Sequence, residues 1–243
     1  MYTKFIAGIA TAVVLSAGAA SAATTFTIDV GEDSLFSTNS PATGSSASLT
    51  FAFEQVTAPG ITSDVKLTVT VDNTTGDGDA FGSGATASKL VGFAFTTPDE
   101  VSLGDTATNY VGSSYFPYLL LNDDSVNGNQ FNSITFDLGG GLKSTLEASG
   151  SPSGGLDPED GTTSVSFYLK GLDEVTMASY FEDGFEDGTL KLGLRFKAVN
   201  GTGADSDKLL YVAPTTPVPL PAGGLLLLTG LGGIALMRRR AKA

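Results

Sequence analysis

Carboxylate side chains in glycine-rich segments are the groups through which this chain could carry out chemistry. Asp72, Asp77 and Asp79 lie in one such segment with Asn73, and Asp123 lies in another. Ca²⁺ takes about six to eight oxygen ligands and binds with modest affinity outside the cell. The four aspartates are therefore candidate calcium ligands.

Neither segment has the spacing of an EF-hand loop, which places an oxygen ligand at position five and a Glu at position twelve. Counted from Asp77, those positions hold Phe81 and Ser88. Counted from Asp123, the last position holds Ile134. A calcium loop of another type is one interpretation, and ordinary Asx turns that cap the backbone are the other. We expect no cofactor, with Ca²⁺ as the alternative.

Four pairs of adjacent carboxylates suggest a second chemistry, the hydrolysis of a glycosidic bond. A glycosidase uses two carboxyl groups about 5 to 10 Å apart. Adjacent residues on a strand point to opposite faces, and all four pairs are expected in solvated turns, so we predict a protein that is not an enzyme. A secreted carboxylate-dependent glycosidase is the alternative. The pairs are Asp123-Asp124, Glu159-Asp160, Glu182-Asp183 and Glu186-Asp187.

Histidine, cysteine and tryptophan are all absent from the chain. Without the first two, the usual zinc sites, cysteine nucleophiles and histidine-based triads are excluded. Without tryptophan, the strongest platform for a sugar ring is missing. The aromatic stretch of Tyr110, Tyr115, Phe116 and Tyr118 could still stack on a sugar, or it could pack in the core. A carbohydrate-binding module or adhesin is therefore a second functional hypothesis.

Alternation of apolar and polar residues with period two predicts the strands that position these groups. The pattern is clearest over residues 190–197, where Lys191, Arg195 and Lys197 stand between apolar residues. Such alternation indicates a half-buried antiparallel strand. Similar patterns mark residues 49–53, 65–71, 134–138 and 165–169, and weaker ones mark 25–30, 88–96, 118–121, 142–148 and 208–212.

Turn-forming segments separate these strands, among them residues 76–79 and the three glycines at 139–141. We therefore predict one all-β domain over residues 23–212, an antiparallel β-sandwich of jelly-roll type. One short helical turn is expected near residues 174–181. The tandem repeat of Phe-Glu-Asp-Gly over residues 181–188 is expected to form two successive tight turns.

Residues 1–22 have the pattern of a secretory signal peptide. Lys4 supplies the basic region, residues 5–15 the apolar region, and a small-residue cleavage site contains Ala20 and Ala22. The apolar region is about half as long as the ~20 residues that a transmembrane helix needs. We expect cleavage after Ala22 and export through the general secretory machinery.

The last 26 residues have three parts. They are the motif Val218, Pro219, Leu220, Pro221, Ala222, an uncharged stretch from residue 223 to Met237, and the cations Arg238, Arg239 and Arg240. We place the linker between the β-domain and this tail at residues 213–217. The uncharged stretch would make a helix of about 22 Å, shorter than the ~30 Å hydrocarbon core, and its glycines weaken it further. We predict a transmembrane helix that holds the chain in the membrane briefly, with the arginines on the cytoplasmic side. A plain membrane anchor is the alternative.

This tail resembles the VPLPA variant of the PEP-CTERM sorting signals of Gram-negative bacteria. The resemblance implies recognition by an exosortase, a membrane-embedded cysteine protease or transpeptidase. It makes residues 218–222 the sorting motif and the three arginines the stop-transfer cations. It also implies a setting at the cell surface, associated with exopolysaccharide and biofilm. Leu220 stands where the commoner motif has a Glu, which leaves the exosortase subtype open.

Removal of both ends leaves a strongly acidic body. All 26 acidic residues lie between Asp29 and Asp207 and face only eight basic residues, so the net charge is −18. This charge repels phosphate backbones, and no nucleic-acid partner is expected. The sequence thus predicts an exported, non-enzymatic protein of the cell envelope, cell surface or extracellular matrix. Its expected partners are the exosortase, the inner membrane and extracellular polysaccharide.

Overall fold

The computed structural model describes residues 23–32, 35–56, 65–104, 109–125, 131, 134–147, 152–200 and 206–213. No helix in these ranges has the length and apolar character needed to cross a membrane. Several predicted features lie outside the described residues: Ala20, Ala22, the motif at 218–222, the tail helix and Arg238 to Arg240.

Twelve strands within the described ranges form two six-stranded antiparallel sheets. In chain order they are β1 (Thr24–Val30), β2 (Leu35–Ser37), β3 (Ala47–Gln55), β4 (Val65–Asp72), β5 (Lys89–Phe95), β6 (Ser102–Leu103), β7 (Tyr110–Val111), β8 (Tyr118–Asp123), β9 (Phe136–Gly141), β10 (Thr163–Lys170), β11 (Leu192–Lys197) and β12 (Ser206–Tyr211). The first sheet has the order β1-β3-β4-β10, and β6 and β7 pair with different parts of β10. The second has the order β2-β12-β11-β5-β9-β8. The predicted all-β architecture of antiparallel sheets is confirmed.

The inner face of the first sheet follows from the period-two pattern. The alternate apolar residues of β4, from Val65 to Val71, are completely buried, while the polar residues between them are half-buried. The register places Phe51 opposite Val69 and Leu49 opposite Val71. Each inward side chain therefore faces another apolar side chain across the ladder, an arrangement that stabilises antiparallel pairs.

Phenylalanine rings join the two sheets. Phe95 of β5, in the second sheet, lies 5.6 Å from Phe51 of β3 and 5.6 Å from Phe167 of β10, measured between ring centroids. Both contacts are edge-to-face, the geometry that the ring quadrupole favours. Phe95 also lies 6.1 Å from Phe181 of the single described helix. Phe95 thus contacts rings of the two parts that pack against its sheet, which are the first sheet and the helix.

The described helix, α1 (Glu174–Glu186), is longer than the predicted single turn. Asp173 caps its start by accepting a hydrogen bond from the Thr176 backbone N–H at 3.1 Å. The Phe-Glu-Asp-Gly repeat is not two tight turns, because its first copy and the Phe and Glu of its second lie inside the helix. The repeat has period four, which places Phe181 and Phe185 on one helix face, and both are buried against the core.

The second sheet is covered on both faces. Its outer face carries a smaller apolar cluster of Ala94, Leu120, Phe131, Phe136, Leu146 and Leu210. Gly193 of β11 approaches this cluster so closely that a Cβ there would lie 2.6 Å from the Phe136 ring. The antiparallel strand predicted within residues 190–197 is present as β11, but its predicted half-buried character is wrong, since five of its six residues are buried, including Arg195.

Two predictions around residue 140 are also wrong. Residues 139–141 are part of β9 rather than a turn, and residues 142–147 form bends and a turn rather than a strand. A Cβ on Gly139 would lie 2.3 Å from the Phe93 carbonyl oxygen, and one on Gly140 would lie 2.8 Å from the Tyr110 hydroxyl. The glycines are in the strand because its neighbours come too close for side chains.

We expect Phe95→Ala to reduce the free energy of unfolding by about 4 kcal/mol, because it removes a fully buried ring and leaves a cavity between the sheets. Phe36→Ala is the matched control, since the Phe36 side chain is 52% exposed, and it should cost less than about 1 kcal/mol. Urea denaturation of both variants measures the difference. Equal losses would contradict the central position of Phe95.

Candidate functional site

An acidic cleft of about 460 Å³ is a candidate site among the described residues. Its walls are the end of β1 with residues 31–32, residues 44–47, and the glycine-rich loop after β4. The carboxylates of Asp29, Glu32, Asp77 and Asp79 line it. Such a concentration of negative charge attracts cations and repels anions.

A buried amide holds the base of the glycine-rich loop. Asn73 is completely buried, and its side-chain nitrogen donates to the carbonyl oxygens of Ser88 at 2.9 Å and Leu156 at 2.8 Å. Its side-chain oxygen accepts from the Thr75 hydroxyl at 2.8 Å and the Thr75 N–H at 3.3 Å. Asn73 therefore forms an Asx turn, which is the ordinary alternative to a calcium ligand.

Glycines with positive φ determine the path of the loop above this base. Gly82 has a φ of 56°, and a Cβ there would lie 2.1 Å from the Ala42 carbonyl oxygen. Gly76 has a φ of 91°, and a Cβ there would lie 2.6 Å from the Thr86 carbonyl oxygen. A side chain at either position would meet both a strained backbone and a steric clash. The wall of the cleft thus depends on these two glycines.

The four candidate calcium ligands do not come together. Asp77 and Asp79 share the cleft and are exposed, whereas Asp72 is at the end of β4 and pairs with Ser48 across the ladder. Asp123 is on β8 in the other sheet, is buried, and accepts from the N–H groups of Ser125 at 2.9 Å and Leu146 at 2.5 Å. The described residues contain no group of three carboxylates that could hold a metal ion.

The paired carboxylates are divided among three separate elements. Glu182, Asp183 and Glu186 are exposed on α1, and Asp187 follows as its cap. The Glu159-Asp160 pair lies in a 3₁₀ turn, where the Asp160 side chain accepts from the Asp157 backbone N–H at 2.9 Å. The prediction of solvated turns is therefore wrong for the two pairs of α1, and it is wrong for the fourth pair, because Asp123 is buried on β8 while Asp124 is exposed.

The aromatic stretch does not form one exposed platform. Phe116 is completely buried, and the Tyr110 hydroxyl donates to the Phe116 carbonyl oxygen at 2.6 Å, while burial raises the Tyr110 pKa. Tyr115 is half-buried, and its pKa is raised by desolvation and by the nearby Asp160 carboxylate. Tyr118 is 49% exposed on the edge strand β8. Core packing accounts for most of the stretch.

A buried carboxylate that the sequence analysis missed lies on β12. Asp207 is completely buried and accepts hydrogen bonds from the Ser37 hydroxyl at 2.7 Å and the Thr43 hydroxyl at 2.6 Å. It also accepts from the Lys208 N–H at 2.8 Å. Buried charges of this kind need such donors to offset the loss of hydration. These hydrogen bonds connect β12 to β2 and to Thr43, which directly precedes Gly44 of the cleft wall.

The signal that could have identified Asp207 is its phase in the strand. Asp207 alternates with Ser206 and Lys208, and it has the same phase as Leu209, which packs in the main core. An acidic residue at an inward position of a strand indicates a buried polar contact. The predicted strand began at Lys208, one residue too late to include it.

Comparison with known proteins found no match to this chain among protein-family models, curated proteins or solved structures. Its chemistry must therefore be argued from its own residues. The cleft presents exposed carboxylates, which attract cations. Among the paired carboxylates in the described ranges only Asp123 is buried, and it accepts hydrogen bonds from two backbone N–H groups.

We expect Gly82→Ala to lower the free energy of unfolding by about 2 kcal/mol or more, because the new methyl would clash with the Ala42 carbonyl at positive φ. Gly78→Ala is the matched control in the same loop, since a Cβ there would meet no described group within 4 Å, and it should change stability by less than about 0.5 kcal/mol. Thermal unfolding of both variants checks this. A Gly82→Ala protein as stable as Gly78→Ala would show that the loop path is not constrained.

Proposed function

We propose that this protein is an exported, non-enzymatic component of the cell surface or extracellular matrix that an exosortase sorts and processes. In this proposal the signal peptide at residues 1–22 directs export, and the tail at residues 218–243 is held in the inner membrane until it is cut. The β-domain is the part delivered. Its setting is the exopolysaccharide or biofilm outside the cell.

The observation that carries the proposal is the order of the three parts of the tail. Proline fixes φ and removes an N–H, so Pro219 and Pro221 restrict the conformations of the motif that the enzyme binds. The uncharged stretch that follows partitions into lipid, and the arginines hold its end at the cytoplasmic side. A short, glycine-containing stretch suits a temporary hold rather than a permanent one.

The described domain is compatible with a delivered, non-catalytic role. Its sheets bury most of their apolar residues, its carboxylate pairs are dispersed, and its cleft is lined by exposed acidic groups. A jelly-roll-like topology belongs to this proposal, and the repeated passage of the chain between the two sheets supports it. Weak Ca²⁺ binding at the acidic cleft belongs to this proposal only as an alternative, since Asp77 and Asp79 are the sole predicted ligands there.

The processing step is tested by mass spectrometry of the protein released from the surface of the native cells. We expect a chain that begins at Ala23 and ends within or next to residues 218–222, without residues 223–243. Pro219→Ala combined with Pro221→Ala should leave the tail attached and the protein in the membrane fraction, because the stiff motif is lost.

The matched control is Pro214→Ala combined with Pro217→Ala, which removes two prolines from the linker outside the motif. This control should be processed normally. Surface-released protein that still carries residues 223–243 would refute processing. Equal loss of processing in both double variants would show that the linker as a whole, rather than the motif, is recognised.

A further inference from the structure

A buried carboxylate joins the start of α1 to the first strand of the domain. Glu174 is the first residue of α1 and is only 6% exposed. Its Oε1 accepts hydrogen bonds from the Thr24 N–H at 3.2 Å and from the Thr24 hydroxyl at 3.4 Å. Its Oε2 accepts a hydrogen bond from the Gln55 N–H at 3.3 Å. Glu174 therefore connects the helix to the beginning of β1 and to the end of β3.

The charge of the Glu174 carboxylate has no cationic side chain to compensate it within the described ranges. Its hydrogen-bond donors are neutral, and the positive end of the helix dipole compensates an anion in the first turn only in part. The sequences of β1, β3 and α1 contain no Lys or Arg, and no described Lys or Arg forms an ion pair with Glu174. A buried charge is costly unless a partner of opposite charge offsets the lost hydration. A cation beside Glu174 would therefore stabilise the fold.

Removal of the signal peptide would create a cation at this point of the chain. Cleavage after Ala22 converts the amide nitrogen of Ala23 into an α-amino group, whose ordinary pKa of about 8 leaves it charged at neutral pH. Ala23 directly precedes Thr24 and is exposed. The nitrogens of consecutive residues are less than about 4 Å apart, so the new ammonium group would lie within roughly 7 Å of Glu174 Oε1.

The strand register holds the chain end beside Glu174. Thr24 pairs with Phe53 of β3, and the ladder continues without a shift to Val30. Ala23 precedes β1 and has no partner in that ladder. Its backbone dihedrals can therefore rotate after cleavage and bring the ammonium group closer to the carboxylate, whereas Thr24 stays fixed. Opposite charges about 4 to 6 Å apart stabilise each other in their charged forms.

The other charged groups near this end of β1 have partners of their own. The Asp173 carboxylate accepts hydrogen bonds from the N–H and the hydroxyl of Thr176, at 3.1 and 2.7 Å. The Glu54 carboxylate of β3 lies 3.8 Å from Lys66 Nζ. The remaining acidic residues of β1 and α1 lie at the other end of the strand or at least two helical turns away, and they are Asp29, Glu182, Asp183 and Glu186. Glu174 is thus the carboxylate that is placed to receive the ammonium group.

We propose that Glu174 binds the α-amino group that signal cleavage creates at Ala23, so that an ion pair fastens β1 to α1 only in the exported protein. The inference rests on the proposed function in one respect, the removal of residues 1–22, and it does not involve the sorting tail. Before cleavage the nitrogen of Ala23 is a neutral amide, and the precursor lacks the ion pair. The domain therefore gains this stabilising contact after the chain has reached the outer side of the membrane.

The test is a pH titration of the exported, isotopically labelled protein from native cells, followed by nuclear magnetic resonance of the Ala23 signals. Mass spectrometry first establishes the first residue of the chain. We expect the pKa of the Ala23 amine to be higher than the ordinary value of about 8, because the Glu174 carboxylate stabilises the charged form. In Glu174→Gln the titration midpoint should fall by about one pH unit, since the amide keeps an acceptor oxygen but loses the charge.

Glu182→Gln is the matched control, because it makes the same charge change at an exposed position of the same helix. It should leave the midpoint within about 0.3 pH unit, since water screens an exposed charge. Equal falls in the two variants would show a general charge effect and overturn the proposal. A second variant inserts one alanine between Ala22 and Ala23, which moves the ammonium group about 3.5 Å along the chain and leaves Glu174 unchanged. Its midpoint should also fall, so the test stays decisive if Glu174→Gln does not fold.

Two kinds of failure are distinguishable in this experiment. An exported protein whose first residue is not Ala23 would refute cleavage after Ala22, and the ion pair with it. A protein that begins at Ala23 and has the same titration midpoint with and without the Glu174 carboxylate would refute the ion pair alone. The proposed export of the domain would then stand without it.

Discussion

The contact of Phe95 with rings from three other elements is the constraint on which the sandwich depends. Phe51, Phe167 and Phe181 surround it at centroid distances of 5.6, 5.6 and 6.1 Å. Protein interiors are close-packed, so the size of this ring sets the spacing of the sheets and the position of α1 together. The helix is therefore part of the core and not an addition to the β-domain.

In the second sheet, apolar packing on the outer face changes the electrostatic environment of β11. Phe131 and Phe136 cover Gly193 on its outer side, and five of the six residues of β11 are buried. Arg195 becomes a buried cation with Glu147 and Asp207 nearby. Burying charge requires compensating partners: the Ser37 and Thr43 hydroxyl groups donate to Asp207, and the Glu147 and Asp207 carboxylates stabilise the Arg195 charge electrostatically.

The candidate site could be predicted from the sequence only in part. The glycine-rich loop could be predicted because turn residues act locally, and Asp77 and Asp79 do lie in it. Asp29 joins them through the pairing of β1 with β3, and Arg195 comes to lie opposite Lys208 through the register of β11 and β12. Such register depends on residues that are distant along the chain, which no local pattern encodes.

The amino-acid sequence alone determined the strands with strict alternation, such as residues 65–71, because a half-buried strand needs a period of two. It also determined the acidic charge and the exclusion of histidine and cysteine chemistry. Only the tertiary structure decided that residues 139–141 belong to a strand, that the repeat at Phe181 and Phe185 forms a helix face, and that Arg195 is buried. The physical reason is that each outcome depends on what packs against the residue, and those partners are brought together only by folding.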